Sequence, residues 1–189
     1  MSYITIEDIL ETERLLGKPV ERSVEIPLTE KELRRIRSSQ RNGRAHDITV
    51  FIFNGNKLLF IAKPFYPSGL FRAPSGGAYP GEKLVEAAHR EIYEETGVII
   101  RLEKYFLRIK VRFAADNDCI DWTSHVFKAR YVSGIINPID TNEIREARFV
   151  ERSELEKFDD ILIKINTGGF RYRSFLTRAA MDILDNDKQ

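Results

Sequence analysis

Apolar residues recur at helical spacing near both ends of the chain, and at strand spacing or in unbroken runs between them. Ile6, Ile9, Leu10 and Leu16 fall near one helical face, with Thr5 as a cap, Asp8 three residues on and Gly17 as the stop. Val20 to Ile26 alternates and is bounded by Pro19 and Pro27, which predicts an edge strand. Thr29 with Glu32 at the capping-box position opens a second helix running to about Ser38. Gln40 to Arg44 is polar, contains a glycine and reads as a loop.

The main body begins at His46. Asp47 to Phe53 is β-branched and aromatic and predicts a buried strand. Asn54-Gly55-Asn56 is a tight-turn signal, and Lys57 to Lys63 is the returning hairpin partner. Pro64 to Pro74 carries prolines and a glycine and reads as a loop. Glu82 to Thr96 predicts a helix, with Gly81 before it and Gly97 as a left-handed stop. Ile99 to Phe113 and Ile120 to Val132 read as long strands joined by a turn over Ala114 to Cys119. A loop from Ser133 to Glu146, a short strand from Ala147 to Val150 and a short helical turn capped by Ser153 follow. Thr167-Gly168-Gly169 reads as a breaker, and Phe170 to Leu184 as a closing helix with Phe175, Leu176, Ala179, Ala180, Ile183 and Leu184 on its apolar side.

Composition adds boundaries to this picture. Lys and Arg total 30 against 29 Asp and Glu, so the net charge of +1 gives no global case for nucleic acid or an anionic membrane. The single cysteine, Cys119, excludes an internal disulfide, and His46, His89 and His125 show no metal-ligand spacing. A cytoplasmic location is expected, since the N-terminus lacks the features of a signal peptide and no apolar run approaches the ~20 residues of a membrane span. Residues 1–45 are expected to be a helix-strand-helix extension that pairs with a second subunit in a homodimer, and residues 46–189 the main domain.

The chemistry lies between Gly76 and Val98. Glu91, Glu94 and Glu95 stand at i, i+3 and i+4, on one helical face. Glu91 and Glu95 repel, at a cost of roughly 0.2–0.5 kcal/mol. All three lie toward the C-terminal end of the helix, where the dipole prefers cations. A bound cation removes both penalties, and clustered carboxylates suit Mg²⁺ or Mn²⁺, which commonly bind substrate phosphates as well. Three helical glutamates alone are more often a solvated acidic face. The whole pattern changes that weighting: Gly76, Glu82, Arg90-Glu91-Ile92, Glu94-Glu95 and Gly97-Val98 fix a spacing whose chance occurrence is on the order of 10⁻⁸ per starting position.

This segment resembles the signature of the Nudix hydrolase family at every defining position. The resemblance implies an α/β class chain with the Nudix fold, an α/β/α sandwich with a mixed β-sheet between helices. It also implies hydrolysis of a diphosphate linkage in a nucleoside diphosphate derivative, by water attack on phosphorus with a divalent ion. Carried over by position, Glu91 and Glu95 are the principal metal ligands, Glu94 assists and the Gly76 carbonyl is a further ligand. Glu82 braces the loop, and Arg90 orients the glutamates, pairing with Glu94. Glu91, Glu94 and Arg90 thus belong to the catalytic group, with Glu143 or Glu146 as later-loop candidates for a general base. A Nudix-fold binding module or regulator without turnover is the alternative, although such modules usually lose signature glutamates and none is lost here.

Substrate choice is less marked. Lys63 and Arg72 are candidates for phosphate contacts, and Phe65, Tyr66 and Phe71 for base stacking, against the competing reading that the aromatics pack the loop. Phe170-Arg171-Tyr172-Arg173 interleaves basic and aromatic residues at a helix start, which makes Arg171 a candidate near an anion. Trp122 and His125 read as sheet residues. No proline stands about 16 residues beyond the signature, a mark of ADP-ribose hydrolases in the family, and the longer motifs of coenzyme A and NADH hydrolases are absent. The expected partner is a small nucleotide-type molecule, with no membrane and no strong nucleic-acid signal.

Overall fold

The computed structural model describes residues 3–40 and 43–186. Helix α1 (Ile6–Leu16) starts where Thr5 accepts the Asp8 N–H, and α2 (Glu30–Ser39) starts on the full Thr29/Glu32 capping box. Between them runs strand β1 (Val20–Pro27). The strands β2 (His46–Asn54) and β3 (Lys57–Ala62) form the expected hairpin, with Gly55 at positive φ in the turn. A two-residue strand, β4 (Ser75–Gly76), precedes helix α3 (Leu84–Thr96). Long strands β5 (Ile99–Ala115) and β6 (Asp118–Ser133) follow, then β7 (Glu146–Val150), α4 (Leu155–Ile165) and α5 (Gly168–Asn186).

The strands form one mixed sheet in the order β1-β5-β6-β2-β3-β7, with β4 pairing to β2 off this path. The β1–β5 and β6–β2 pairs are parallel, and the rest are antiparallel. β2 is shared along its length: Ile52 to Asn54 pair with β3, whereas Ile48 and Thr49 pair with β4. The chain leaves the sheet after Ala62, touches it again where Arg72 bridges to Ile61, and continues through β4 into the loop in front of α3.

Two apolar clusters cover the faces. One gathers α1 and α3 residues, such as Ile9, Ala87, Ala88 and Ile92, against Ile48, Val50 and Phe127. The other gathers α2, α4 and α5 residues, such as Leu33, Phe158, Leu162, Tyr172 and Leu176, against Phe51, Phe60 and Phe106. The result is an α/β/α sandwich around a mixed sheet, as expected. Residues 1–45 take part in it directly, since β1 is an edge strand of the same sheet.

Several boundaries differ from the sequence reading. The turn expected over Ala114 to Cys119 shrinks to two residues, because β5 runs to Ala115 and β6 starts at Asp118. The helix expected from Glu82 begins at Leu84, leaving Glu82 on the preceding turn, where it accepts the Tyr79 N–H. The short turn expected after Ser153 is a 3₁₀ turn followed by the 11-residue α4, whose Phe158 and Leu162 are buried one turn apart. The Gly168-Gly169 breaker is itself the first turn of α5. Gly168 lies flush against Leu28, where a methyl group would overlap, so the glycine serves close packing. Among the described residues no helix is long and apolar enough to cross a membrane.

Candidate active site

Helix α3 is fixed at both ends. At its start, Leu84 N–H donates to Asp8 Oδ2 at 3.1 Å, and Lys83 Nζ pairs with Glu11 at 2.8 Å, so α1 supplies the cap that the signature segment lacks. At its end, Gly97 adopts φ +74° and its N–H returns to Tyr93 O at 2.8 Å. Ala87, Ala88 and Ile92 are buried against the sheet, and this packing sets the helix rotation that turns Glu91 and Glu95 toward the 72–77 loop.

Arg90 holds one end of the acidic face together. Its guanidinium donates to Glu82 Oε1 and Oε2 (both 2.8 Å), Glu91 Oε1 (2.9 Å), Glu94 Oε2 (3.1 Å) and the Gly77 carbonyl (2.9 Å), and it stacks over Tyr79 at 3.9 Å. Burial opposes ionisation of Glu82, but its bonds from Arg90 and Tyr79 prevail and hold its carboxyl below the usual range. Burial raises Glu91 despite Arg90, and neighbouring Glu94 adds to the rise. Glu91 Oε1 also accepts the Gly77 N–H at 3.1 Å.

Glu95 lies at the other end and is 4% exposed. One oxygen accepts the Ser75 N–H at 2.8 Å. The other lies 3.9 Å from Lys63 Nζ and 4.0 Å from Arg72 Nη2, near both cations and beyond hydrogen-bonding distance. Burial is the main cause that pushes its carboxyl up to about 7, with Glu91 adding to the rise and Arg72 and Lys63 opposing it.

The structure brings Gly76, Arg90, Glu91, Glu94 and Glu95 together, and adds Lys63 and Glu143. Lys63 Nζ bridges Glu95 to Glu143, which it holds at 2.9 Å while the Glu143 side chain stays 63% exposed. Three substrate candidates are placed otherwise. Phe71 packs on Phe158 at 5.7 Å and lies under Arg148 at 4.3 Å, so its ring is committed to the core. Arg72 is buried, donating to Tyr66 Oη, Ala73 O and Ser75 Oγ, and thus shapes the loop under Glu95 instead of facing solvent. Arg171 donates to the Asn166 carbonyl and to Pro27 O, closing the α4–α5 connection.

Two arginines that the sequence reading left unassigned approach the site. Arg173 is held by Asp47 (3.2 Å) and Thr49 (3.4 Å), and its charge is reinforced by Asp47, Tyr66 and Glu95 against the effect of burial. Arg44 lies against Gly77, where a methyl group would overlap its guanidinium, and 5.8 Å over Trp122. A basic residue interleaved with aromatics was the signal for Arg173; none marks Arg44.

A divalent cation fits the donor chemistry. Glu91, Glu94, Glu95 and the Gly76 carbonyl offer only hard oxygens. Gly76 lies directly against the Glu91 carboxylate, and a Cβ there would overlap it, so a side chain at this position would push the carboxylate away from the loop. Among the described residues no three acidic, histidine or cysteine side chains already enclose an ion position. The acids form an open rank, a form suited to Mg²⁺, which takes few carboxylates and completes its shell with water and phosphate oxygens.

Comparison with known proteins places the chain in a family. The family model described as "NUDIX domain" matches residues 43–166. The "NAD-capped RNA hydrolase NudC" of Pseudomonas syringae pv. tomato is 29% identical over 109 residues, covering 56% of this chain and 36% of that protein. The protein of the same name from Chromobacterium violaceum is 38% identical over 56 residues, covering 30% and 21%. The chain therefore spans about a third or less of the length of these curated relatives. A solved NUDIX hydrolase from Nitrosomonas europaea is 20% identical with a TM-score of 0.49, covering 62% of this chain and 79% of that one.

Proposed function

The chain belongs to the NUDIX family, and from that premise we propose that it hydrolyses a diphosphate linkage in a nucleoside diphosphate derivative. Glu91, Glu95, Glu94 and the Gly76 carbonyl would hold the Mg²⁺ or Mn²⁺. The observation that carries this reading is Glu95, a buried carboxylate with one oxygen fixed by Ser75 and the other within 4.0 Å of two cations but bonded to neither.

When bound, the ion supplies neutralisation of phosphate charge and a more acidic water. The chain's own groups do the positioning. The Ser75 and Gly77 N–H groups fix the Glu95 and Glu91 carboxylates, and Arg90 locks Glu91 to Glu82 and Glu94. Lys63, between Glu95 and Glu143, offers its ammonium to a phosphate oxygen. Glu143, exposed beside it, accepts the proton of the attacking water.

The test is a hydrolysis screen over nucleoside diphosphate sugars and dinucleotides, with NAD included because the relatives' name suggests it. Mg²⁺ or Mn²⁺ is added in one arm and a chelator in the other. Metal-dependent release of a nucleoside monophosphate is expected. Binding without turnover across the panel would instead support a silent Nudix-fold module. A homodimer through the outer edge of β1 remains part of the proposal, and a monomeric mass by light scattering would remove it.

A further inference from the structure

The segments on either side of residues 43–166 meet beside the proposed reaction centre. Helix α2 from before that region and the start of α5 from after it face the 64–70 loop across a groove of about 420 Å³, within the usual range for small-molecule sites. Arg35 and Ile36 come from α2, Phe65 and Tyr66 from the loop, and Phe170 and Arg173 from α5.

The wall is aromatic and stepped. Tyr66 meets Phe65 at 5.0 Å and Phe170 at 5.4 Å, both nearly perpendicular to it (87° and 80°). Tyr66 is buried, whereas Phe65 is 74% exposed, so its ring is available to a ligand. The inner end joins the site. Tyr66 Oη accepts from Arg72 Nε at 2.9 Å, Arg72 is the neighbour of Glu95, and Tyr66 N–H donates to the carbonyl of Lys63 at 3.0 Å. Two cations, Arg35 and Arg173, and one acid, Glu32, line the groove. Arg173 is held in place by Asp47 and Thr49, whereas the exposed Arg35 has no ion-pair partner among the described residues. Glu32, the nearby acid, is occupied by the N–H groups of Thr29 and Gly168.

We propose that this groove is the base subsite: it takes the planar ring of the nucleoside diphosphate substrate against Phe65 and Phe170, with Arg35 drawing in the attached phosphates. The inference rests on the hydrolytic reading above and adds to it a recognition surface that two segments flanking the family match build together with the 64–70 loop inside it.

Binding measurements on the full chain test it. Adenosine and uridine 5′-monophosphate are the probes, and inorganic phosphate is the base-free control. Phe65→Ala should weaken both nucleotides roughly tenfold, since base–aromatic stacking is worth about that factor or more, and leave phosphate unchanged. Arg35→Ala should weaken nucleotide and phosphate alike. Arg34→Ala, at a neighbour paired with Glu30, should change neither. No nucleotide binding by the intact chain, no effect of Phe65→Ala, or an equal loss for phosphate in that variant would overturn the inference. Because Phe65 is exposed, its truncation leaves the core intact. Turnover separates the two claims. Hydrolysis whose KM is indifferent to Phe65→Ala removes the subsite and keeps the reaction; Phe65-dependent nucleotide binding without hydrolysis removes the reaction and keeps the subsite.

Discussion

The two ends of the acidic face on α3 solve the same electrostatic problem differently. Around Arg90, three glutamates share one guanidinium, with five hydrogen bonds including that to Gly77 O, and every charge has a protein partner. One turn further on, Glu95 is more deeply buried and receives a single hydrogen bond, while its cations stop at 3.9 and 4.0 Å. The first end is a structural cluster that sets side-chain direction. The second is a carboxylate whose countercharges lie beyond hydrogen-bonding distance. On the proposed reading the ion would draw on both kinds, Glu91 and Glu94 already aimed by Arg90 and Glu95 least neutralised by the chain itself.

The comparison is broken most directly at Glu95. Glu95→Gln keeps the shape and the Ser75 bond but removes the charge, so activity should fall on the order of 10²–10³-fold. Stability should not fall with it. Burial already pushes this carboxyl up to about 7, so ionised Glu95 costs the folded state free energy above that pH. In chelator at pH 8 the variant should unfold at or above the wild-type urea midpoint. Full retained activity, measured as initial rates with Mg²⁺, would remove Glu95 from the metal set.

At the other end the pattern should reverse. Arg90→Lys keeps one charge but loses the fork that serves Glu82, Glu91, Glu94 and Gly77 O together. A stability loss of about 1–3 kcal/mol is expected, because part-buried carboxylates lose partners. Urea unfolding would read it, and a variant as stable as wild type would show that the Arg90 cluster is not what holds the loop to the helix.

These two ends also mark how far the sequence was legible. Glu91, Glu94, Glu95 and Arg90 lie within one helix, so local spacing placed them correctly. Lys63 and Glu143 are 80 residues apart and meet because β3 pairs with β7 in the register Ala62 to Glu146. No local pattern specifies that register. Arg72 misled because arginines are mostly exposed, and here Tyr66, Ala73 and Ser75 satisfy it inside. Helix α4 was underestimated because Asp159 and Asp160 interrupt its apolar face in sequence; Asp159 is in fact satisfied by Ser174 and Arg178 of α5. The β2–β3 and β5–β6 hairpins follow from local turns, but their assembly into the order β1-β5-β6-β2-β3-β7 depends on such distant pairings.

A third buried cluster sharpens the contrast, because it is built to stay uncharged. His46 and His125 lie 6.4 Å apart on the paired inner strands β2 and β6, with His125 Nδ1 at 2.6 Å from Tyr105 Oη and His46 Nε2 without a partner among the described residues. Burial is the first cause of both depressions, to about 4 for His46 and about 3 for His125. Arg44 and Arg108 add to them, and Asp47 opposes them. A folded-state value below the unfolded one means that stability is intact above about pH 6.5 and is lost as the pH falls, when the unfolded chain takes up protons that the folded chain refuses. At pH 5 the loss from the pair should be on the order of 2–4 kcal/mol, read as a drop in urea midpoint from pH 7.5. His46→Gln should flatten that dependence. A flat profile in the unaltered protein would show that water or a shifted carboxylate reaches the pair.

The smallest expected effect concerns what the first 45 residues do for the acidic helix. Asp8 on α1 accepts from Leu84 N at the start of α3, Glu11 pairs with Lys83, and Glu13 and Glu21 pair with Arg108 on β5. The surface pairs are worth little each, but the cap serves a helix N-terminus that has no capping side chain of its own, and its negative charge also suits the dipole there. Asp8→Ala should therefore cost about 1 kcal/mol, and Asp8→Asn clearly less, because asparagine still accepts the bond. Amide exchange at Leu84 to Ala87 should rise in the alanine variant, whose cap is gone, while exchange near Glu95 stays protected by Gly97 and the sheet. If both variants match wild type in midpoint and exchange, the extension serves its edge strand and the groove beside α5, and the acidic helix stands without it.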